Sequence, residues 1–362
     1  MSSFTLNNKN AMITESIKQT KAAILVEQKK PLIVDTIEMP ELKYGQVLVK
    51  VLYSGICGAQ LNEIEGTKGP DKFLPHLLGH EGSGIVLECG EGVTQVQKND
   101  RVVLHWRKNN GIQSATTSYT WQGKKLNAGW VTTFNQHAIV SENRITKIHS
   151  ESDMKIAPLY GCAITTAFGV IHNNASLKSG ESIIIFGAGG VGSAIVLAAS
   201  VAGAYPIIAI DINDMKLDYA KKCGATHTMN STKADVRKIM HETLPEMADC
   251  VVDTTGIKDV RELAYELTNS TGRTILVGVP KAGEKISIDS FPLHFTKRIT
   301  GSHGGDAQPD YDIPRLMRLQ KAGKLNLSHL ITHEYPLEKI NEAIDALRQG
   351  KTMRCIIALH HE

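Results

Sequence analysis

The chain has 362 residues, of which 42% are apolar and 21% charged, with a formal net charge of +3. That length exceeds what one small core holds and sets two domains as the expectation, in an ordinary globular composition. Acidic residues interleave with the basic ones, which argues against nucleic-acid binding, and no apolar run is long enough to cross a bilayer.

Met1 to Thr20 is polar and lacks a signal-peptide core, so it reads as an N-terminal extension (1–20) of a cytoplasmic protein. Lys21 to Val26 is the first strand-like run. To about Ile171 the chain is rich in short β-branched or alternating runs: Gln46 to Leu52, Gly84 to Leu87, Arg101 to Leu104 and Ala138 to Val140. Turn residues such as Gly90-Glu91-Gly92 and Lys98-Asn99-Asp100 separate them, the pattern of a mostly antiparallel β domain. Near Ser176 the pattern changes. Strands at Ser182 to Phe186, Pro206 to Ile210, Cys250 to Asp253 and Arg273 to Val277 alternate with helices. The helices are expected at Val191 to Ala202, Asp214 to Cys223, Thr232 to Thr243 and Asp259 to Thr268. Alternation of this kind implies a parallel sheet. From about Asp310 two helix signals, Pro314 to Ala322 and Leu337 to Arg348, precede a last strand, Arg354 to Leu359. That tail is expected to return to the first domain.

The run Gly187-Ala188-Gly189-Gly190-Val191-Gly192 follows a buried-type strand and opens a helix, the context a dinucleotide site requires. Gly187 permits the tight turn, Gly189 lets the backbone approach a pyrophosphate, and Gly192 lets helix and strand pack closely. Phosphates then sit over the helix N-terminus. Asp211, nineteen positions after Gly192, ends the next strand. A carboxylate there binds ribose hydroxyls and repels a 2′-phosphate, so NAD is preferred over NADP. Lys216, one turn on, is placed to brace the ribose. A glycine-rich turn without a cofactor is the plain alternative, and strand, glycines, helix and acid in order outweigh it.

Six cysteines, Cys57, Cys89, Cys162, Cys223, Cys250 and Cys355, show no disulfide spacing and suit core thiols, ligands or nucleophiles. Cys57, His80 and Cys162 are the residue types of a zinc site with one open position, with Glu81 as a neighbouring carboxylate or occasional fourth ligand. Spacing alone is weak support, since each cysteine taken singly reads as a core thiol.

From about Lys21 to the C-terminus the chain resembles a zinc-dependent medium-chain alcohol dehydrogenase. The resemblance lies in Gly79-His80-Glu81-Gly82-Ser83-Gly84, the Cys162 segment, Gly187 to Gly192 and Asp211-Ile212-Asn213. It continues through Val277-Gly278-Val279-Pro280 and Leu330-Ile331-Thr332-His333 to Glu338-Lys339-Ile340-Asn341-Glu342-Ala343. It implies an α/β architecture. A GroES-like, mostly-β catalytic domain (21–172 and 311–362) joins a Rossmann doubly wound parallel-sheet domain (173–310). Zinc is implied on Cys57, His80 and Cys162. Thr166 is implied against the nicotinamide, Val279 beside the cofactor, and Arg354 on its pyrophosphate. A homodimer or homotetramer is implied through the Rossmann domain, with Thr274 to Ser302 as the joining region.

Two departures matter. The stretch His105 to Trp130, where many members hold a structural zinc on four cysteines, has none. One zinc per subunit is expected, with that lobe held by packing or by a loop built on Trp106, Tyr119, Trp121 and Trp130. Ala59 and Asn62 stand where members often carry proton-relay residues, and Gln60 replaces a common aspartate. The implied reaction is hydride transfer between an alcohol carbon and the nicotinamide, with the metal as Lewis acid. Aromatics with Arg107, Lys108, Lys124 and Lys125 suit a polyol, sugar or anionic hydroxy compound, or else form a solvated basic loop. His105, His137, His303 and His333 read as structural or surface residues. The rival readings are transient oxidation serving epimerisation or elimination on a sugar, and a non-catalytic NAD-binding protein.

Overall fold

The computed structural model describes residues 17–67 and 69–360. The first sixteen residues of the expected extension lie outside it. Its last two, Gln19 and Thr20, already belong to the first strand, Gln19–Leu25, because Thr20 pairs with Ile37 and its hydroxyl accepts from the His137 N–H.

Two β layers form the first half. Strands Gln19–Leu25, Ile33–Glu38, Ser118–Trp121, Lys124–Asn127 and His76–Leu77 close a small barrel. The expected loop of the His105 to Trp130 stretch therefore contains a β-hairpin, which packs by its alternate residues: Tyr119 and Leu126 turn inward and are fully buried. The second layer runs in the order Ile145–Lys147, Arg101–His105, Glu81–Cys89, Gln46–Ile56, Arg354–Ala358 and Ile331–Pro336, with His137–Ser141 also on Gln46–Ile56. The C-terminal tail thus returns to this sheet through the antiparallel pairing of Arg354–Ala358 with Gln46–Ile56.

The second half is a six-stranded sheet, parallel throughout. Its order is His227–Asn230, Ile207–Asp211, Ile183–Phe186, Ala248–Asp253, Thr268–Leu276 and Arg298–Gly301. In chain order that is 3-2-1-4-5-6, the doubly wound dinucleotide-binding arrangement, whose ligand crevice lies at the carboxyl ends where the order reverses. Ile183, Ile185, Ile207 and Ala209 pack on one face against Ala194, Val196 and Ala198. Ile184, Ile208 and Val251 pack on the other against Val236 and Met240.

Several helix boundaries differ from expectation: the helix expected from Pro314 already starts at Pro309, and Leu337–Lys339 is a 3₁₀ turn ahead of helix Ile340–Arg348. The helix predicted from Thr232 starts at Val236, where Asp235 caps it by accepting from the Lys238 N–H. The helix predicted to Thr268 ends at Glu266, because Thr268 opens the next strand and its hydroxyl contacts Thr274. Two helices unmarked in the sequence reading, Gly58–Glu65 and Ala163–Gly169, each begin directly after a candidate ligand cysteine. Among the described residues no helix is long and apolar enough to cross a membrane.

Candidate active site

Strand Ile183–Phe186 delivers the chain to Gly187, whose φ of 86° lies in the left-handed region open to glycine. A Cβ on Gly192 would sit 1.8 Å from the Gly187 carbonyl oxygen, so only glycine allows helix Gly190–Val201 to approach its strand this closely. Asp211 accepts from the Ala188 N–H at 2.7 Å and from the Asn213 N–H at 2.9 Å, which fixes the carboxylate beside the glycine turn. Gly187, Gly189, Asp211, Ile212, Lys216 and Ile257 line one cleft. Val279 is exposed, and its carbonyl closes on Gly256, where a Cβ would approach to 2.6 Å. The turns after Ala248–Asp253 and Thr268–Leu276 are thereby stacked at the same end of the sheet.

Register assembles the second constellation. Cys57 follows strand Gln46–Ile56, His80 precedes Glu81–Cys89, and Cys162 joins a 3₁₀ turn to helix Ala163–Gly169. The ligand atoms of Cys57, His80 and Cys162 lie within 4.8 Å of one another. Cys57 is held well below the usual thiol range by a hydrogen bond from Cys162, with His80 and Arg354 reinforcing the effect against burial. Cys162 is pushed well above it by the same hydrogen bond and by burial. Two close sulfurs resist ionising together, and a divalent cation removes that conflict. His80 Nε2 is buried with no hydrogen-bond partner. Two soft sulfurs and an orphaned imidazole nitrogen fit zinc.

Glu81 stands outside this trio. It is fully buried, and its Oε1 accepts from Arg354 Nη1 at 2.6 Å. Gly55 makes room for it: a Cβ there would meet Glu81 Oε1 at 2.5 Å. Burial raises the Glu81 carboxyl above its ordinary range, with Arg354 opposing. Arg354 Nε and Nη2 are buried without partners, and Nε lies 2.8 Å from where a Cβ on Gly190 would stand. The guanidinium therefore spans from the carboxylate beside the metal trio to the glycine turn. Thr166 lies one helical turn beyond Cys162, its N–H on the Cys162 carbonyl at 3.0 Å. Its own carbonyl faces Gly305.

Three features escaped the sequence reading. Gln60 contacts both Cys57 and His80. Glu81 pairs with His105 at the end of the antiparallel register, and Trp106 follows directly. His303, read as a structural or surface residue, meets the Trp106 ring edge-on at 5.1 Å, and Arg107 donates to the carbonyls of His303 and Ala307. The pair Gly304-Gly305, both at positive φ, was the one local signal for this close seam. Arg107 and Arg144 turn inward. Arg144 donates to the Trp106 carbonyl and to Gln113 and lies over the Trp130 ring. Glu142 accepts from the Gln95 and Ile112 N–H groups, each at 2.8 Å, so a carboxylate and a guanidinium hold this lobe.

Residues 43–150 match the model of the alcohol dehydrogenase GroES-like domain, and residues 190–322 that of zinc-binding dehydrogenases. The S-(hydroxymethyl)glutathione dehydrogenase of Photobacterium damsela subsp. piscicida is 32% identical, over 94% of this chain and 99% of that protein. The Synechocystis protein of the same name is 30% identical with the same coverage. Benzyl alcohol dehydrogenase from Acinetobacter calcoaceticus superposes with a TM-score of 0.86 at 28% identity, covering 95% of this chain and 100% of that one. The sequence, the fold and the Cys-His-Cys trio agree: this chain belongs to the zinc-dependent medium-chain alcohol dehydrogenases, oxidoreductases that interconvert alcohols and carbonyl compounds.

Proposed function

We propose that this enzyme is an NAD-dependent dehydrogenase of a polyol, sugar or sugar derivative, with one zinc per subunit on Cys57, His80 and Cys162. The observation that carries the reading is the Cys57-His80-Cys162 trio joined to the glycine turn through Glu81 and Arg354. Zinc at such a site supplies Lewis acidity toward the substrate oxygen, and NAD supplies the hydride acceptor. The chain's own part is alignment. Gly187, Gly189, Gly190, Val191 and Gly192 present backbone to the pyrophosphate, Arg354 adds charge, and Asp211 with Lys216 holds the ribose. Val279 and Thr166 border the nicotinamide. Thr166 keeps its place because its helix starts at a metal ligand.

Trp106, the residue after the Glu81–His105 pair, offers an aromatic face suited to the C–H side of a sugar ring. With Arg107 and Arg144 engaged internally, we favour a neutral polyhydroxy substrate over an anionic one. We place the boundaries at 21–172 with 311–362, and at 173–310: the family matches to 43–150 and 190–322 lie on either side of the first junction, and the pairing of Arg354–Ala358 with Gln46–Ile56 ties the tail to the first domain. A homodimer is supported by the exposed edge strand Arg298–Gly301 and the exposed Phe291 and Phe295 beside it. Six free cysteines suit the reducing cytoplasm.

The test is a spectrophotometric screen of alcohols, polyols, sugars and S-(hydroxymethyl)glutathione with NAD and with NADP, zinc being measured on the same sample. Turnover of a polyol with NAD at one zinc per chain is expected. Zinc-free protein that turns over, or preference for a simple alcohol, refutes the respective part. Ala59 and Asn62, which offer no hydroxyl or imidazole for proton relay, favour one second reading: transient oxidation within an epimerisation or elimination. NADH accumulating in step with product excludes it.

A further inference from the structure

We propose that His76 and Asp71 form a protonation-controlled clasp on the loop 69–75, closed while the imidazole carries two ring protons and slack once one is lost. The inference is independent of the metal and cofactor readings above. The loop joins helix Gly58–Glu65, which starts after Cys57, to strand His76–Leu77, which leads to His80. Few contacts hold it. The Asp71 N–H donates to Gln28 Oε1 at 3.3 Å, Gln28 Nε2 to the Gly69 carbonyl at 3.2 Å, and Asn127 Nδ2 to the Phe73 carbonyl at 2.7 Å. Asp71 ties the segment to itself: Oδ1 accepts from the Phe73 N–H at 2.8 Å, and Oδ2 meets His76 Nε2 at 2.7 Å. The Phe73 ring is exposed, so apolar burial does not pin the tip.

Both ring nitrogens of His76 face groups that only accept. Nδ1 lies 2.9 Å from the Leu77 carbonyl oxygen, and Nε2 lies on the Asp71 carboxylate. A neutral imidazole has one N–H, so it satisfies one of the two and turns a lone pair on the other. An imidazolium satisfies both and pairs with the carboxylate. The two side chains are 13% and 14% exposed, too sheltered for water to replace the lost bond without cost. Other charges stand apart from this pair. Strand Gln19–Leu25 sets Leu25 beside His76, and strand Lys124–Asn127 sets Asn127 there. The charged residues of those strands are Lys21, paired with Glu338, and Lys124 and Lys125, which are exposed, as is Lys72 in the loop. Histidine is the side chain that ordinarily changes charge between pH 5 and 8, so the clasp works in that range. Once it slackens, the Asp71 carboxylate is free to turn, and the Phe73 N–H loses its acceptor.

The experiment follows the full chain, labelled with ¹⁵N-histidine, from pH 5.5 to 8.5. Hydrogen exchange at the Phe73 amide is read in parallel and corrected for the intrinsic effect of pH. At pH 6 both ring nitrogens of His76 should carry protons. As the ring loses one, protection at Phe73 should fall about tenfold, the worth of one charge-assisted hydrogen bond. Asp71→Asn puts an amide where the carboxylate was, so a neutral ring finds a donor, and His76→Gln has nothing to titrate. Protection in both variants should stay flat with pH. A singly protonated His76 at pH 6, Phe73 protection that ignores the titration, or an equal fall in both variants overturns the proposal. The wild-type measurements need no variant, so a misfolded mutant does not protect the idea.

Discussion

Replacing Arg354 by Met separates two roles of one buried guanidinium. Its Nη1 meets Glu81 Oε1 at 2.6 Å, and the two side chains are 3% and 0% exposed. Removing one partner of such a pair costs about 3–5 kcal/mol, because the other charge is left dry. That is a large part of the net stability of a domain, about 5–15 kcal/mol. The sign with pH follows from Glu81. Burial already raises its carboxyl, and the variant removes the main opposing influence, so its folded value rises further. A raised carboxyl is stabilising below its unfolded value and loses that contribution as pH climbs through the folded one. The penalty is therefore larger at pH 8 than at pH 5. Adding Glu81→Gln removes the stranded charge and restores most of the loss. The second role lies with Nε, which has no hydrogen-bond partner and lies beside Gly190. Losing one charge-assisted contact there, about 1.5–3 kcal/mol, weakens NADH binding tenfold or more, and Glu81→Gln does not restore it. Urea unfolding at both pH values and NADH fluorescence titration read the two effects. A loss under about 1 kcal/mol at pH 8, or NADH affinity recovered in the double variant, refutes the reasoning.

Asp211→Ser removes the carboxylate that repels a 2′-phosphate, so kcat/KM shifts toward NADP and away from NAD; an unchanged cofactor ratio counts against Asp211 as the ribose acid. His105 is buried between the Arg107 carbonyl and Thr146, and burial holds it down at about 4. Its neutral form is the folded one, so its contribution is whole above pH 6.5 and is lost between 6.5 and 4. The size is about 3 kcal/mol, and His105→Gln should flatten that part of the pH–stability curve. Phe295→Asp places a charge on the exposed face beside Arg298–Gly301, and if the proposed interface lies there sedimentation should show a smaller species than wild type; an unaltered sedimentation coefficient sends the interface elsewhere.

How far the sequence could be read depended on how local each signal was. The glycine turn, its entering strand, its helix and Asp211 occupy one contiguous stretch, and period and glycine placement specify them. The ligand trio draws on Cys57, His80 and Cys162, far apart in sequence. Only the resemblance joined them before the register of the antiparallel sheet was known. The contact of Trp106 with His303 went unread for the same reason: it depends on a seam between distant segments. The Lys124 and Lys125 strand lay hidden in what reads as a polar loop. Each strand of that hairpin turns one fully buried residue inward, Tyr119 on Ser118–Trp121 and Leu126 on Lys124–Asn127, too few for a visible alternation. Helix limits at Val236 and Glu266 turned on capping and on a strand start that apolar periodicity does not encode.

The sheet register also explains why metal and cofactor chemistry meet in this fold. Cys355 pairs with Ile56, so Arg354 stands opposite Cys57 at the strand ends. Ser54 pairs with Gly82, which brings Glu81 over Gly55, where the missing Cβ leaves its carboxylate room. Three strands from remote parts of the chain thus end at one place: the first contributes a thiolate, the second an imidazole and a carboxylate, the third a guanidinium. A one-residue slip of Arg354–Ala358 would turn Arg354 to the opposite face and leave Glu81 unpaired, so the pairing that fixes the fold also fixes the site. Because Arg354 reaches the glycine turn from that same position, a change in Glu81 acts on the cofactor only by moving the guanidinium. Stability and NADH affinity should therefore separate in the Glu81→Gln single variant, with stability changing and the dissociation constant changing only as far as Arg354 is displaced.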